Sequence, residues 1–217
     1  MRVLLTGTGQ EELAQALGHE GFEVESCPLV RVESLEGPPV RASDYNWLVL
    51  TSRNGVEELF RRLEGPLPRV AVVGPGTAEA LRRHHIEPAF VARVSTQEGL
   101  AAELPKPAGR VLFAGAEGAR GVLARELGAD FVPLYRTVGL EPDDLPAAEL
   151  VVVASATAAC ALARLRPGAS CVSIGPVTSA AARSHGLDVV AEAASHDREG
   201  LLEAVKLAAS QRDSSPS

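Results

Sequence analysis

The chain carries an internal repeat, and a repeat restricts the available folds more than any single motif does. Arg69-Val-Ala-Val-Val-Gly-Pro-Gly-Thr77 resembles Ser170-Cys-Val-Ser-Ile-Gly-Pro-Val-Thr178, with Gly74-Pro75 over Gly175-Pro176 at an offset of 101. The same offset carries Thr77 to Thr178, His84 to His185, and Glu98-Gly99-Leu100 to Glu199-Gly200-Leu201. Trp47-Leu-Val-Leu-Thr-Ser52 resembles Leu150-Val-Val-Val-Ala-Ser155 at a slightly larger offset. Arg2-Val-Leu-Leu-Thr-Gly7 pairs with Arg110-Val-Leu-Phe-Ala-Gly115, and each leads to a Pro-containing strand, Pro28-Leu-Val-Arg-Val32 and Pro133-Leu-Tyr-Arg-Thr137.

Each copy alternates short Val/Leu/Ile runs with helix-period segments. Continuous apolar runs suit parallel strands buried on both faces, and their alternation with helices implies βαβ units. The pattern predicts strands near 2–6, 22–25, 46–51, 69–73, 88–91, 110–114, 130–133, 149–154, 171–174 and 188–191. Helices are expected near 10–19, 54–63, 77–85, 97–104, 118–127, 157–164, 177–185 and 197–208. The fold class is α/β, with two similar parallel-sheet domains of flavodoxin- or Rossmann-like type. The order of the copies fits two consecutive halves, or one domain inserted in the other. The inserted arrangement assigns 1–33 plus 141–208 to one domain and 38–135 to the other. Its crossings fall at 32–38 and 136–142, where Glu36-Gly37-Pro38-Pro39 and Glu141-Pro142-Asp143-Asp144 have linker chemistry. Val30–Ser34 and Tyr135–Gly139 would then pair as a two-stranded connector. Residues 209–217 read as a flexible tail.

Composition narrows the function classes. Of 217 residues, 21 are Lys or Arg and 28 Asp or Glu, a net charge of −7, and no basic cluster interleaves with aromatics. A nucleic-acid partner is disfavoured. No apolar run approaches a membrane span and the N-terminus lacks signal-peptide character, so a cytoplasmic location without a membrane partner is expected. Cys27, Cys160 and Cys171 have no C-x-x-C spacing, which argues against disulfides or zinc.

In parallel sheets ligands bind beyond the carboxyl ends of the strands. Six loops there run into helices: Thr6–Gln10, Thr51–Gly55, Gly74–Thr77, Gly115–Gly118, Ser155–Thr157 and Gly175–Thr178. All offer small residues, and most a hydroxyl, at a helix start. Free N–H groups and the helix dipole make such starts anion sites, although Ser and Thr there are also ordinary N-caps. Six in two equivalent domains suggest a multiply anionic small molecule held in a cleft between the domains. No P-loop or complete dinucleotide fingerprint is present, which lowers a nucleotide-dependent transferase. Glu117 would repel an anion unless it points away. Tyr135, beside a domain crossing, has a hydroxyl that could enter the cleft as a proton donor, or it is an amphipathic filler. His84 and His185 read as charge partners of helix C-termini, and Ser95 with Glu98 has capping-box spacing. With no carboxylate pair, metal-ligand cluster or nucleophile triad, the chemistry would come from binding and orientation.

These residues resemble the uroporphyrinogen-III synthase family. The matching stretches are Leu50-Thr-Ser-Arg-Asn-Gly-Val56, Val72-Val-Gly-Pro-Gly-Thr-Ala78, Pro133-Leu-Tyr-Arg-Thr137, Ala154-Ser155, Ser173-Ile-Gly-Pro-Val-Thr-Ser179, Gly186-Leu187 and Glu199-Gly-Leu-Leu202. The resemblance implies the inserted two-domain arrangement. It also implies a cofactor-free, metal-free lyase of the tetrapyrrole and heme pathway, which closes hydroxymethylbilane with inversion of ring D and loss of water. It implies a monomer whose partner is that small molecule, with transient contact to the upstream deaminase. By motif, Tyr135 corresponds to the family tyrosine proposed to assist departure of the hydroxyl. Thr51, Ser52, Thr77, Ser155 and Thr178 correspond to hydroxyls that bind substrate carboxylates. Many members have an arginine after the first strand, where this chain has Thr6-Gly7-Thr8; that side chain's contribution to substrate binding is either missing here or replaced, with Arg53 the candidate replacement. The rival reading is a non-catalytic two-domain protein that closes on a small anion.

Overall fold

The computed structural model describes residues 1–213. The chain forms two units, one of residues 1–31 with 137–217 and one of 32–136. The second is therefore inserted in the first along the chain.

The discontinuous unit begins with β1 (Arg2–Leu5), α1 (Glu11–His19) and β2 (Glu23–Ser26). The chain leaves it through β3 (Val30–Ser34). The inserted unit holds β4 (Trp47–Leu50), α2 (Arg53–Arg62), β5 (Arg69–Val72), α3 (Pro75–Arg83), β6 (Phe90–Val91), α4 (Gln97–Glu103), β7 (Val111–Ala116) and α5 (Val122–Leu127). The chain returns through β8 (Asp130–Gly139). It completes the first unit with β9 (Leu150–Val153), α6 (Ala156–Leu165), β10 (Ser170–Ser173), α7 (Pro176–Ser184), β11 (Asp188–Glu192) and α8 (Arg198–Asp213).

The first unit's sheet has the order β11-β10-β9-β1-β2 and is parallel throughout. The second has the order β3-β8-β7-β4-β5-β6, parallel from β8 to β6. Leu35 N–H donates to Leu134 and Leu140 N–H to Leu29, so β3 runs antiparallel to β8. Both strands carry the chain across the unit boundaries.

Each apolar run is buried on both faces, as a parallel sheet requires. In the inserted unit, Leu48 and Leu50 pack with Val56 and Leu59 of α2 and Leu81 of α3, while Trp47 and Val49 pack with Leu100 of α4 and Leu123 of α5. The other unit repeats this. Val3, Leu5 and Val152 face α1 and α8, and Leu4, Val151 and Val153 face α6. Strand alternation thus places helices on both sides of each sheet.

Three expectations need correction. Helix α8 runs to Asp213, so residues 209–213 of the expected tail are helical; Leu201, Ala204, Val205 and Ala208 bury one face of α8 and carry it onward. The remaining 214–217 lie outside the described residues. The strands expected separately at 130–133 and 135–139 are one strand, β8, with β3 beside it as expected, because it is paired on both sides, by β7 and by β3. The cap of α4 is Thr96 rather than Ser95: its hydroxyl accepts the Gly99 N–H at 3.0 Å.

The register of β8 matters for the site. Gly115 pairs with Pro133, but the next residue, Ala116, pairs with Tyr135. One residue, Leu134, is therefore extra on β8, a β-bulge. Regular alternation would send Leu134 and Tyr135 to opposite faces; with the bulge both join the core under α2 and α3. Arg62, at the end of α2, holds this stretch, its guanidinium donating to the carbonyls of Pro133 and Leu35 at 3.1 Å and of Pro38 at 2.9 Å.

Candidate functional site

In both sheets the strand order reverses at the centre, between β9 and β1 and between β4 and β7, and ligands bind beyond such points. In the inserted unit, the loop Thr51-Ser52 leaves β4 there. Ser52 caps α2, its Oγ accepting the Gly55 N–H at 2.9 Å. A Cβ on Gly55 would lie 3.7 Å from the Ala114 carbonyl oxygen, which shows how closely α2 begins against the end of β7.

The bulge brings Tyr135 to the same place. Its hydroxyl lies 2.7 Å from Ser52 Oγ, and the residue is only 5% exposed. Tyr135 is a core filler and a hydrogen-bonded phenol at once, and Ser52 is its hydrogen-bond partner among the described residues. Burial raises its pKa above the ordinary tyrosine value, Glu58 adds to the rise, and the Ser52 hydrogen bond opposes it. The phenol is therefore neutral at physiological pH and carries a proton it can give. Glu58 is itself 7% exposed and lies 3.6 Å from Arg61.

The six expected helix starts are not alike, and Gly115–Gly118 is not one of them, because α5 begins only at Val122. Ser52 and Ser155 use Oγ as the acceptor of an N-cap, Ser155 taking the Ala158 N–H at 3.1 Å, and each still has its own hydroxyl hydrogen to donate. Thr6 is fully buried and donates to the Val152 carbonyl at 2.7 Å, so it bridges β1 to β9 and does not face a ligand. Gly7 N–H is taken by Gln10 Oε1 at 2.8 Å. By contrast α3 and α7 start at Gly74 and Gly175, which supply no side-chain cap, followed by Pro75 and Pro176, which have no N–H. The next N–H groups, of Gly76 with Thr77 and of Val177 with Thr178, are the free donors expected at a helix start. Thr77 and Thr178 occupy the same position in these two helices, each 5% exposed. Neither hydroxyl has a partner among the described residues, and neither is among the buried polar atoms left without one, so each keeps an accessible edge. Thr51 is half-buried. Arg53 is exposed at the first position of α2 and has no partner among the described residues.

The remaining candidates have structural partners. His84 lies 3.1 Å from Glu57 and stacks on Phe60, and His185 Nδ1 lies 2.9 Å from the Ala181 carbonyl oxygen. Glu117 is held through its backbone, its N–H donating to the Tyr135 carbonyl at 2.7 Å. Among the described residues no group of His, Cys, Asp or Glu could hold a metal ion, and no helix is long and apolar enough to cross a membrane.

Sequence reading missed one polar cluster. Ser173 Oγ lies 2.5 Å from Ser179 Oγ, and Ser179 donates to Glu192. His196 packs on Gly175, where a Cβ would lie 2.0 Å from its Nε2. The offset of 101 places Val72, Ala78, Val91 and Ser95 at the equivalent positions. Departures from the repeat were the available signal.

A family model described as uroporphyrinogen-III synthase HemD matches residues 11–203. A Methanocaldococcus jannaschii protein named "Putative uroporphyrinogen-III synthase" is 26% identical over 157 residues, spanning 67% of this chain and 65% of that protein. A crystal structure of uroporphyrinogen-III synthetase from Helicobacter pylori 26695 superposes with a TM-score of 0.66 at 19% identity, covering 98% of this chain and all of that one. That of a mutant uroporphyrinogen III synthase from the extremely thermophilic bacterium Thermus thermophilus does so at 0.60 and 18% identity, covering 97% of this chain and 99% of the other. The structural matches share the α/β fold, and the family model, which spans most of the chain, goes further: this chain belongs to the uroporphyrinogen-III synthase family.

Proposed function

We propose that the chain converts hydroxymethylbilane to uroporphyrinogen III, closing the macrocycle with inversion of ring D and loss of water. The family match over residues 11–203 carries this reading. The acetate and propionate groups of the bilane are taken up by helix starts of both units. The uncapped starts of α3 and α7, with Thr77 and Thr178, are the principal donors; Thr51 and Arg53 contribute beside α2, and Ser155 at α6. Binding energy spent on these carboxylates holds ring D so that its substituted carbon attacks, and uncatalysed closure lacks that constraint. The neutral phenol of Tyr135 supplies the proton for the departing hydroxyl, a contribution of about 10²–10⁴ for a placed general acid. No cofactor is needed, because loss of hydroxide activates the substrate itself.

The net charge of −7 does not oppose an anionic substrate, since screening confines bulk repulsion to about 8–10 Å at physiological salt. The test is incubation with freshly generated hydroxymethylbilane and separation of the oxidised isomers. Isomer III in excess is expected. Isomer I alone, formed at the spontaneous rate, overturns the proposal, and binding without conversion would make the chain an anion-closing protein.

A further inference from the structure

We infer that Ser52 is the group that hands the proton to the departing hydroxyl, and that Tyr135 acts behind it as the proton's source. This rests on the reaction proposed above and assigns its acid step differently from a direct tyrosine donor.

The hydrogen-bond inventory of the pair points this way. Ser52 Oγ accepts the Gly55 N–H at 2.9 Å and lies 2.7 Å from the Tyr135 hydroxyl. If Ser52 donated to Tyr135, the phenolic hydrogen would lack a partner among the described residues, in a side chain that is 5% exposed. Leaving such a buried donor unpaired costs about 1–3 kcal/mol. With Tyr135 donating to Ser52, the phenol is satisfied. Ser52 then holds two incoming donors, and its own hydrogen is free to turn outward. Ser52 is half-buried at the carboxyl end of β4, whereas Tyr135 lies in the core cluster with Leu134 and Leu59. A reacting group therefore meets Ser52 first. The other unit offers a contrast. Ser155 caps α6 in the same way, but the residue equivalent to Tyr135 is Val30. Only one of the two matching serines is backed by a proton source.

The C–O bond of the terminal CH₂OH breaks, and its electron pair leaves with oxygen. That oxygen takes the Ser52 proton and departs as water. Ser52 takes the Tyr135 proton through the 2.7 Å hydrogen bond. The substrate, now an azafulvenium, later releases a pyrrole proton, which restores Tyr135 by the same route. Nothing is oxidised or reduced.

The experiment is single-turnover consumption of hydroxymethylbilane in mixtures of H₂O and D₂O, with Ser52→Asn, Ser52→Thr and Tyr135→Phe. Asparagine caps a helix as well as serine does but has no hydroxyl proton to pass on. Wild type is expected to show a curved, two-proton inventory, and Tyr135→Phe a slower, linear one. Ser52→Thr, which keeps a hydroxyl at the cap, is expected to be faster than Ser52→Asn. Ser52→Asn loses about 10²-fold in the chemical step with KM within about threefold and unchanged melting. A linear wild-type inventory, or a Ser52→Asn rate equal to wild type, overturns the relay while leaving the proposed reaction standing. Wild type that yields only isomer I removes the reaction itself.

Discussion

Gly99 stands so close to Val94 that a Cβ built on it would lie 2.3 Å from the Val94 carbonyl oxygen. Gly200 has the same relationship to Ser195, at 2.2 Å. This explains why Glu-Gly-Leu recurs in both copies: the first turn of α4 and of α8 folds back onto the loop before it, and only a hydrogen fits. Alanine in a helix would otherwise gain about 1 kcal/mol over glycine. Here the clash is with backbone and must displace it, at about 1–3 kcal/mol. Gly99→Ala and Gly200→Ala should each lower stability in urea denaturation. Gly175→Ala should cost less, because the atom it meets is the His196 ring, which can turn away.

Hydroxyls that cap helices separate from those left accessible. Ser155→Ala removes a cap and should lower stability by about 1 kcal/mol. Thr77→Val and Thr178→Val remove no cap hydrogen bond and should leave the melting temperature nearly unchanged. Each should raise KM for hydroxymethylbilane by about tenfold, the worth of a hydrogen bond to a charged group. Unchanged KM in both would remove these threonines from the site.

Burial raises the Tyr135 pKa, with Glu58 adding to the effect. The folded state thus holds the phenolic proton more tightly than the unfolded chain, whose tyrosine titrates near the ordinary value of about 10. The stability this contributes is complete below that value and is lost as pH rises through the folded pKa. Alkaline unfolding followed by circular dichroism should show a component above about pH 10 that Tyr135→Phe lacks.

Cys171 is fully buried in β10, and burial, reinforced by Asp188, pushes its thiol up to about 11. Cys27 and Cys160 are half-exposed. A maleimide at neutral pH should label these two in the folded protein and reach Cys171 only after denaturation. Mass spectrometry of labelled peptides reads the difference.

Much of this protein is written along the chain. Apolar runs such as Leu150-Val-Val-Val153 identify buried parallel strands, because only a sheet covered on both faces accepts them. The repeat of Gly74-Pro75-x-Thr77 at Gly175-Pro176-x-Thr178 marks two matching helix starts, because proline at the first helical position and an uncapped glycine are local properties. What the chain cannot show is which hydroxyl is spent and which is free. Ser52, Thr6 and Thr77 are alike as hydroxyls between the end of a strand and the first turn of a helix, yet one caps a helix and meets a phenol, one bridges strands, and one stays accessible. The meeting of Ser52 with Tyr135, 83 residues apart, depends on a single extra residue in β8 that reverses the alternation after Pro133. Strand register is set by pairing with β7 and by packing under α2, both long-range, so only the folded chain decides where that tyrosine points.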